Sequence, residues 1–228
     1  MKAATSLGSI VLLVCSVVPA EAQTPVVPTF DPEDPRTSFT AMAEYLSAAG
    51  GQWRSPNPNY DASRPASPPA FGLWFVWVAE RRVLELSIVV HHADSSTTLS
   101  SKGQWVWHPG ESRLTYLMIG RNGSVTEGTT AFTEPSTFTT VATFFRPNGR
   151  SSETRDENVL VSGSIHRNET FEPDQDGTWQ SRGVYEWRRV RSRSGLNRSE
   201  PGSLTPDARE SRSRSRNQRF GNRIGSIQ

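Results

Sequence analysis

The sequence predicts an all-β protein, specifically an up-and-down antiparallel β-barrel of about nine or ten strands with a short N-terminal capping helix. Between residues 51 and 190, short runs rich in Val, Ile, Thr and aromatic residues recur at the spacing of an all-β sandwich or barrel. Consecutive hairpins give a meander, and closing the meander removes the exposed edge strands of an open sheet. Turn pairs typical of hairpins separate these runs at Pro109-Gly110, Asn122-Gly123, Asn148-Gly149 and Asp176-Gly177.

Residues 1–22 predict a secretory signal peptide. Lys2 precedes an apolar stretch from Ile10 to Val18, and Ala20-Glu21-Ala22 matches an A-x-A cleavage site, so we expect a mature chain that begins near Gln23. This predicts a periplasmic or secreted protein. The apolar stretch is shorter than the roughly 20 residues that span a bilayer, and we expect no transmembrane segment in the mature chain.

The only cysteine, Cys15, lies within that apolar stretch and leaves lipoprotein processing as an alternative. Val14 stands where such a site requires a small residue, so cleavage after Ala22 is favoured. The mature chain then has no thiol, and its stability must come from a packed core. Lys2 and Lys102 are the only lysines, and this excess of arginine without mature cysteine favours a bacterial source.

Residues 23–36 predict an extended, proline-rich leader that acts as a linker, because proline disfavours both helix interiors and central strands. A helix is expected from about Thr37 to Ala48, ended by Gly50-Gly51. It is positioned to cap one end of a barrel. Its apolar face is formed by Phe39, Met42, Ala43 and Leu46.

Within the strand region, Leu84, Leu86, Ile88 and Val90 alternate with polar residues, as in a strand with one buried face. The stretch from Pro56 to Pro69 interrupts the pattern, since its prolines cannot sit in a paired strand. It predicts a long loop after the first strand. A lid or binding loop and a disordered insertion are both open interpretations of its length.

Residues 191–228 predict a disordered Arg/Ser-rich basic tail with almost nothing apolar to bury. From Arg189 onward, ten arginines against three acidic residues give 10 − 3 = +7, so the net charge of +2 conceals an acidic body of 2 − 7 = −5. The tail could contact an anionic envelope polymer or a lipid surface, or be a solvated extension. Export makes nucleic acid an unexpected partner.

Gly51-Gln52-Trp53, directly after the predicted helix, resembles the G-x-W signature of lipocalins and their calycin relatives. The resemblance implies that Trp53 closes one barrel end and packs against an arginine of the last strand. Arg188 and Arg189 are the two candidates. A guanidinium stacked on the indole is physically sensible, because the aromatic face attracts cations.

The segment from Gly103 to Gly128 contains Trp107-His108-Pro109-Gly110 and, later, Glu127-Gly128. It is similar to a group of bacterial lipocalin-like domains of unknown function, in which an aromatic-x-x-Pro turn is paired with a Gly-rich hairpin ending in Glu-Gly. The resemblance implies a lipocalin-like barrel domain over residues 37–190. It does not account for the insertion at 56–69.

No catalytic or metal-binding motif emerges from the sequence. His91 and His92 point to opposite faces of a strand and cannot both ligate one ion. We expect no cofactor, with haem ligation through His92 as the remaining alternative. There is no G-x-S-x-G elbow. Glu85, Glu127 and Glu186 would be acid–base residues only if they pointed into the barrel, and alternation places Glu85 outside.

The leading functional hypothesis is a small apolar or amphiphilic ligand bound inside the barrel, because small barrels are either filled by side chains or left open for one ligand. One alternative is a non-catalytic structural or interaction module of the cell envelope that acts through its basic tail. A further alternative is an enzyme that uses the cavity. The predicted lining residues are Phe75, Trp77, Leu86, Ile88, Trp107, Tyr116 and Met118.

Overall fold

Ten strands, one α-helix and one 3-10 turn account for the regular structure in the computed structural model, which describes residues 25–64 and 67–190. The predicted signal peptide and basic tail lie outside the described residues. The helix α1 spans Pro35–Ser47, and the 3-10 turn spans Ala48–Gly50. The strands are β1 Gln52–Pro56, β2 Ala70–Val78, β3 Val83–His91, β4 Thr97–His108, β5 Arg113–Gly120, β6 Val125–Glu134, β7 Thr137–Phe145, β8 Ser151–Ser162, β9 Ile165–Pro173 and β10 Trp179–Arg189.

The strands form a closed antiparallel barrel in which each strand pairs with its neighbours in the chain. The ring is completed between the first and last strands, where Trp53 lies opposite Arg189 and Arg54 opposite Arg188. This arrangement confirms the predicted up-and-down barrel and its capping helix. Closure brings the two edge strands of an open sheet together, although β1 pairs with β10 over only two residues of each strand.

Helix α1 begins at Pro35, slightly earlier than the sequence pattern indicated. The Asp34 side chain caps it by accepting a hydrogen bond from the Thr37 backbone N–H at 3.1 Å. Proline fits this position because the first helical residues need no donor within the helix. The helix lies across one end of the barrel, and its inward face is fully buried there. That face includes Ser38, Phe39, Met42, Ala43, Tyr45 and Leu46.

The proline-rich leader contributes to the core, which a simple linker would not do. Phe30 is 3% exposed and packs against Phe132 and Phe138, with ring centroids 4.8 Å and 6.3 Å away. Its backbone N–H donates to the Pro135 carbonyl at 2.6 Å. A single aromatic residue therefore anchors an otherwise irregular segment, and the prolines around it do not prevent that contact.

The barrel has two different ends. At the closed end, α1 covers the barrel beside β2, β5 and β6. At the open end lie the loop after β1 and the hairpin turns at 92–96, 121–124, 146–150 and 174–178. Glycines at Gly123, Gly149 and Gly177 have φ near +80°, as tight hairpin turns require.

The loop after β1 is folded back on itself in its described parts. The Asn57 backbone N–H donates to the Pro69 carbonyl at 2.9 Å, and the Asn57 side-chain amide donates to the Pro68 carbonyl at 2.8 Å. These bonds hold the two ends of the loop together at the open end.

Among the described residues, no helix is long and apolar enough to cross a membrane.

Candidate functional site

The closed end is sealed by Trp53, which is 1% exposed. Its indole N–H donates to the Leu46 carbonyl of α1 at 2.9 Å, so the only polar atom of this large side chain is satisfied. Tyr45 packs on it with ring centroids 5.6 Å apart. The Tyr45 hydroxyl donates to the Ser162 carbonyl, and burial raises the pKa of that hydroxyl to about 12.

Arg189 completes this seal from β10. Its guanidinium carbon lies 4.0 Å from the centroid of the Trp53 ring. The guanidinium donates to the Ala48 carbonyl at 2.7 Å, the Tyr45 carbonyl at 2.8 Å and the Gly163 carbonyl at 3.0 Å. These carbonyls belong to the end of α1 and to the β8–β9 turn, so one side chain joins three parts of the fold.

Arg188, the other candidate, takes no part in the seal. Alternation along β10 places it on the outer surface, where it pairs with Glu186 at 2.6 Å. The sequence could not choose between adjacent arginines. The register of β10 against β1 decides the question, because it directs Arg189 toward Trp53.

A cavity of about 440 Å³ occupies the barrel interior beyond this seal. Its residues come from the nine strands β2 to β10, and their chemistry differs between the two halves of the ring. Strands β2 to β5 supply an apolar wall, whereas β7 to β9 supply mostly polar side chains. The apolar wall consists of Phe71, Leu73, Phe75, Leu86, Ile88, Trp105, Tyr116 and Met118.

The apolar wall is organised around Trp105. Its ring centroid lies 4.8 Å from that of Tyr116 and 6.2 Å from that of Phe75. The Trp105 indole N–H donates to the Thr130 hydroxyl at 3.0 Å, and Thr130 is in turn hydrogen-bonded to Thr140 at 2.7 Å. Because its polar atom is satisfied, Trp105 presents mainly aromatic surface to the cavity.

The polar wall is a ladder of inward-facing residues on three adjacent strands. Thr140, Asp156 and Thr170 are direct cross-strand neighbours on β7, β8 and β9. The Thr170 hydroxyl donates to Asp156 Oδ1 at 2.5 Å. Loss of hydration inside the barrel raises the pKa of Asp156, and this effect outweighs the hydrogen bonds that Thr170 and Asn168 donate.

His166 lies deepest in the polar wall, edge-on to Trp53 with ring centroids 5.9 Å apart. Its Nε2 is 2.9 Å from Asn158 Oδ1. Burial lowers the pKa of His166 to about 3, and the positive charge of Arg189 contributes to this shift. The imidazole is therefore neutral at physiological pH, and Nε2 carries the proton that Asn158 accepts.

Most of the predicted lining residues border this cavity, namely Phe75, Leu86, Ile88, Tyr116 and Met118. Trp77 and Trp107 do not. Both share the inward face of their strands but lie further toward the closed end, at the barrel rim, where Trp77 packs on Phe39 of α1 with centroids 5.5 Å apart. Because α1 covers this end of the barrel, Trp77 contacts the helix and does not border the cavity.

The ionisable residues weighed from the sequence lie outside the cavity. Glu85 and Glu127 are exposed on the outer surface, as Glu186 is. His92 is hydrogen-bonded to the Thr98 hydroxyl at 2.8 Å at the open end, and it does not border the cavity. Among residues 25–64 and 67–190, no group of three or more His, Cys, Asp or Glu residues is placed to hold a metal ion.

The sequence reasoning missed Asp156, Asn158, His166 and Asn168. The burial pattern of β8 explains why. Thr154, Asp156 and Asn158 face inward, but the residues between them, including Arg155 and Glu157, are also polar. A strand with polar residues on both faces gives no alternation signal, so its inward face cannot be identified before the barrel closes.

No protein-family model matches this chain, and its comparison with curated proteins gives no match.

Proposed function

We propose that this protein is an exported, lipocalin-like binding protein that holds a small amphiphilic molecule inside its barrel. The observation that carries the proposal is the cavity of about 440 Å³ with an apolar wall on one side and a polar wall on the other. Pockets for small molecules have volumes of roughly 300–1,000 Å³ and combine apolar surface with a few placed polar groups. The proposed binding needs no cofactor.

The exposure of the lining residues indicates where a ligand would enter. Residues near the closed end, such as Leu73, Phe75 and Trp105, are buried. Those further along the same inner surface, such as Phe71 and Met118, are only half-buried. The cavity therefore communicates with solvent at the open end, between the hairpin turns, and the seal formed by Trp53 and Arg189 prevents passage through the barrel.

The aromatic cluster at the closed end supports a cavity rather than a filled barrel. Phe39, Met42 and Leu46 of α1 fill the space beneath Trp53 and Trp77. Further along the barrel, the inward positions include residues with little or no side chain, notably Gly103, Gly128 and Ala142. At Gly128 even one added carbon would collide with the Val141 carbonyl, which shows how closely the backbones approach there.

The test measures binding of N-phenyl-1-naphthylamine, a neutral fluorescent probe that brightens in apolar surroundings. Thr126 borders the cavity on β6 between Met118 and Phe144, so Thr126→Trp should block it. We expect this variant to weaken probe binding at least about tenfold, equivalent to about 1.4 kcal/mol. Thr129→Trp is the matched control, since alternation places it on the outer face.

Unchanged probe affinity in Thr126→Trp would contradict the proposal, as would the absence of any probe binding by the wild-type protein.

Mass spectrometry of the protein recovered from a host with a secretory pathway tests export separately. The expected N-terminus is Gln23. Retention of residues 1–22 would contradict export without affecting the binding result.

We further propose that the arginine-rich segment 191–228 adheres to anionic polymers or lipid surfaces at the site of action. Its support is the charge of the sequence alone, since residues 191–228 hold nine arginines and three acidic residues, a net charge of +6 beside an acidic body. Such contact would hold the binding protein near the envelope without a membrane-spanning segment.

A further inference from the structure

The charges inside the cavity all have one sign. Two carboxylates, Asp156 and Glu172, are among its lining residues, and no lysine or arginine is. Glu172 sits toward the open end and pairs with Arg182 at 3.3 Å. Asp156 lies deeper, and among the described residues no cation is within ion-pair distance of it. The interior therefore carries an uncompensated carboxyl group.

The hydrogen bonds of Asp156 are concentrated on one of its two oxygens. Oδ1 accepts from the Thr170 hydroxyl at 2.5 Å and lies 3.5 Å from the Asn168 amide nitrogen. Within residues 25–64 and 67–190, Oδ2 accepts no hydrogen bond. Asp156 is held in place by its neighbours on β9 while one acceptor oxygen remains available at the cavity surface.

Aromatic rings line the same cavity as this carboxylate. Tyr116 and Asp156 line the same cavity, and burial together with the charge of Asp156 raises the pKa of Tyr116. The Tyr116 ring packs against that of Trp105 at a tilt of 40°, with centroids 4.8 Å apart. A carboxylate beside aromatic faces is an environment that favours cations, since the faces of aromatic rings are electronegative.

From this geometry we infer that the ligand is an amine: a protonated primary ammonium group that binds Asp156 Oδ2, attached to an apolar or aromatic body that lies against Trp105, Tyr116 and Leu86. This inference rests on the proposed function and specifies the class of ligand. The ion pair forms where water is largely excluded, so the ligand's charge compensates a group that is costly to leave unpaired. A ligand with a carboxylate or phosphate would meet only like charge.

The barrel topology supports an elongated ligand. In a ring of ten strands, β3 lies five strands from β8 in either direction, so Leu86 and Ile88 are on the wall opposite Asp156. An ammonium at Asp156 therefore directs the rest of the molecule toward the apolar wall. The cavity volume of about 440 Å³ leaves space for a body larger than the ammonium alone.

The test uses three probes with one apolar body and different head groups: 4-phenylbutylamine, 4-phenyl-1-butanol and 4-phenylbutyrate. Binding to the full mature chain is measured by titration calorimetry at pH 7.5, where the amine is protonated because its pKa is near 10. We expect the amine to bind at least about tenfold more tightly than the alcohol, or about 1.4 kcal/mol. The butyrate should bind more weakly than the alcohol.

Asp156→Asn is the variant that removes the charge while keeping the shape. It should abolish the preference for the amine over the alcohol. Glu153→Gln on the same strand removes an exposed carboxylate outside the cavity and serves as the charge-matched control. A thermal melt of each variant establishes that it is folded.

A second measurement requires no variant. Affinity of the wild-type protein for the amine should fall as the pH is lowered through the titration of Asp156, whereas affinity for the alcohol should not. Equal binding of amine and alcohol, or an unchanged preference in Asp156→Asn, would overturn the inference while leaving cavity binding intact. If neither these probes nor N-phenyl-1-naphthylamine binds, the proposed function itself fails and the inference fails with it.

Discussion

Arg189 lies over the ring of Trp53, with its guanidinium carbon 4.0 Å from the ring centroid. The two residues are direct partners in the pairing of β10 with β1, which closes the barrel. Arg189 also donates hydrogen bonds to carbonyls of α1 and of the β8–β9 turn. This contact therefore joins the first strand, the last strand and the capping helix in one place.

Replacing Arg189 with Met should destabilise the protein by about 2–4 kcal/mol, because the carbonyls of Tyr45 and Ala48 lose charged hydrogen-bond donors and the indole loses its cation. Urea unfolding measures the loss. Arg188→Met is the matched control and should cost less than about 0.5 kcal/mol, since its ion pair with Glu186 is exposed. Equal losses in the two variants would refute the role of Arg189.

Replacing Trp53 with Ala should destabilise the protein by about 3–5 kcal/mol, the range for truncating a large buried aromatic residue. Trp53 is 1% exposed and its indole N–H is bonded to α1, so the variant leaves both a void and an unsatisfied Leu46 carbonyl. Denaturant unfolding measures this. A loss below about 1 kcal/mol would show that the closed end is not sealed by this residue.

Replacing Asp156 with Asn should raise the stability of the ligand-free protein at neutral pH. The pKa of Asp156 is raised in the folded state above its ordinary value of 3.8, so the native protein binds a proton more readily than the unfolded chain. Stability is lost as the pH rises through this window. The advantage of the Asn variant should disappear below about pH 3.8, which unfolding measured at several pH values will test.

Titration of His166 should change the stability of the protein with pH in the opposite direction to titration of Asp156. Its pKa is about 3 in the folded protein against 6.5 ordinarily, so the unfolded chain takes up the proton first and stability falls as the pH drops below 6.5. Each pH unit within that window costs up to about 1.4 kcal/mol. His166→Gln should flatten this part of the stability profile. A slope identical to that of the wild type would contradict the buried neutral imidazole.

Deleting residues 195–228 should leave the melting temperature of the barrel nearly unchanged, because this segment contains few apolar residues to bury. The same deletion should abolish binding to vesicles containing an anionic lipid. In the full chain that binding should weaken steeply with salt, as expected for screened charges. Binding that resists salt, or that survives the deletion, would assign the interaction to the barrel.

Local sequence patterns were sufficient to predict the strand-rich fold. Alternating apolar residues, as in Leu84 and Leu86, identify a strand with a buried face, and Gly123 and Gly149 mark tight hairpins. These signals are local because a strand's two faces and a turn's backbone angles depend on adjacent residues. The packing role of Trp53 was indicated by the resemblance of Gly51-Gln52-Trp53 to the G-x-W signature, which left Arg188 and Arg189 as candidate partners.

The cavity's chemistry could not be predicted in the same way. β8 and β9 carry polar residues on both faces, so nothing in their sequence indicates that Asp156 and His166 point inward. The contacts of the leader and of the helix could not be predicted either. Local sequence patterns indicate neither that Phe30 is buried nor that Phe39 covers Trp77.

The sequence by itself thus determined that strands form, where they turn and which tryptophan packs at the barrel end. Only the tertiary structure decided that Arg189 rather than Arg188 meets Trp53, and that Asp156 faces an apolar wall five strands away in the ring. The physical reason is register. Which residues of a strand face inward depends on hydrogen bonding to its neighbours, and a shift of one residue reverses every side chain.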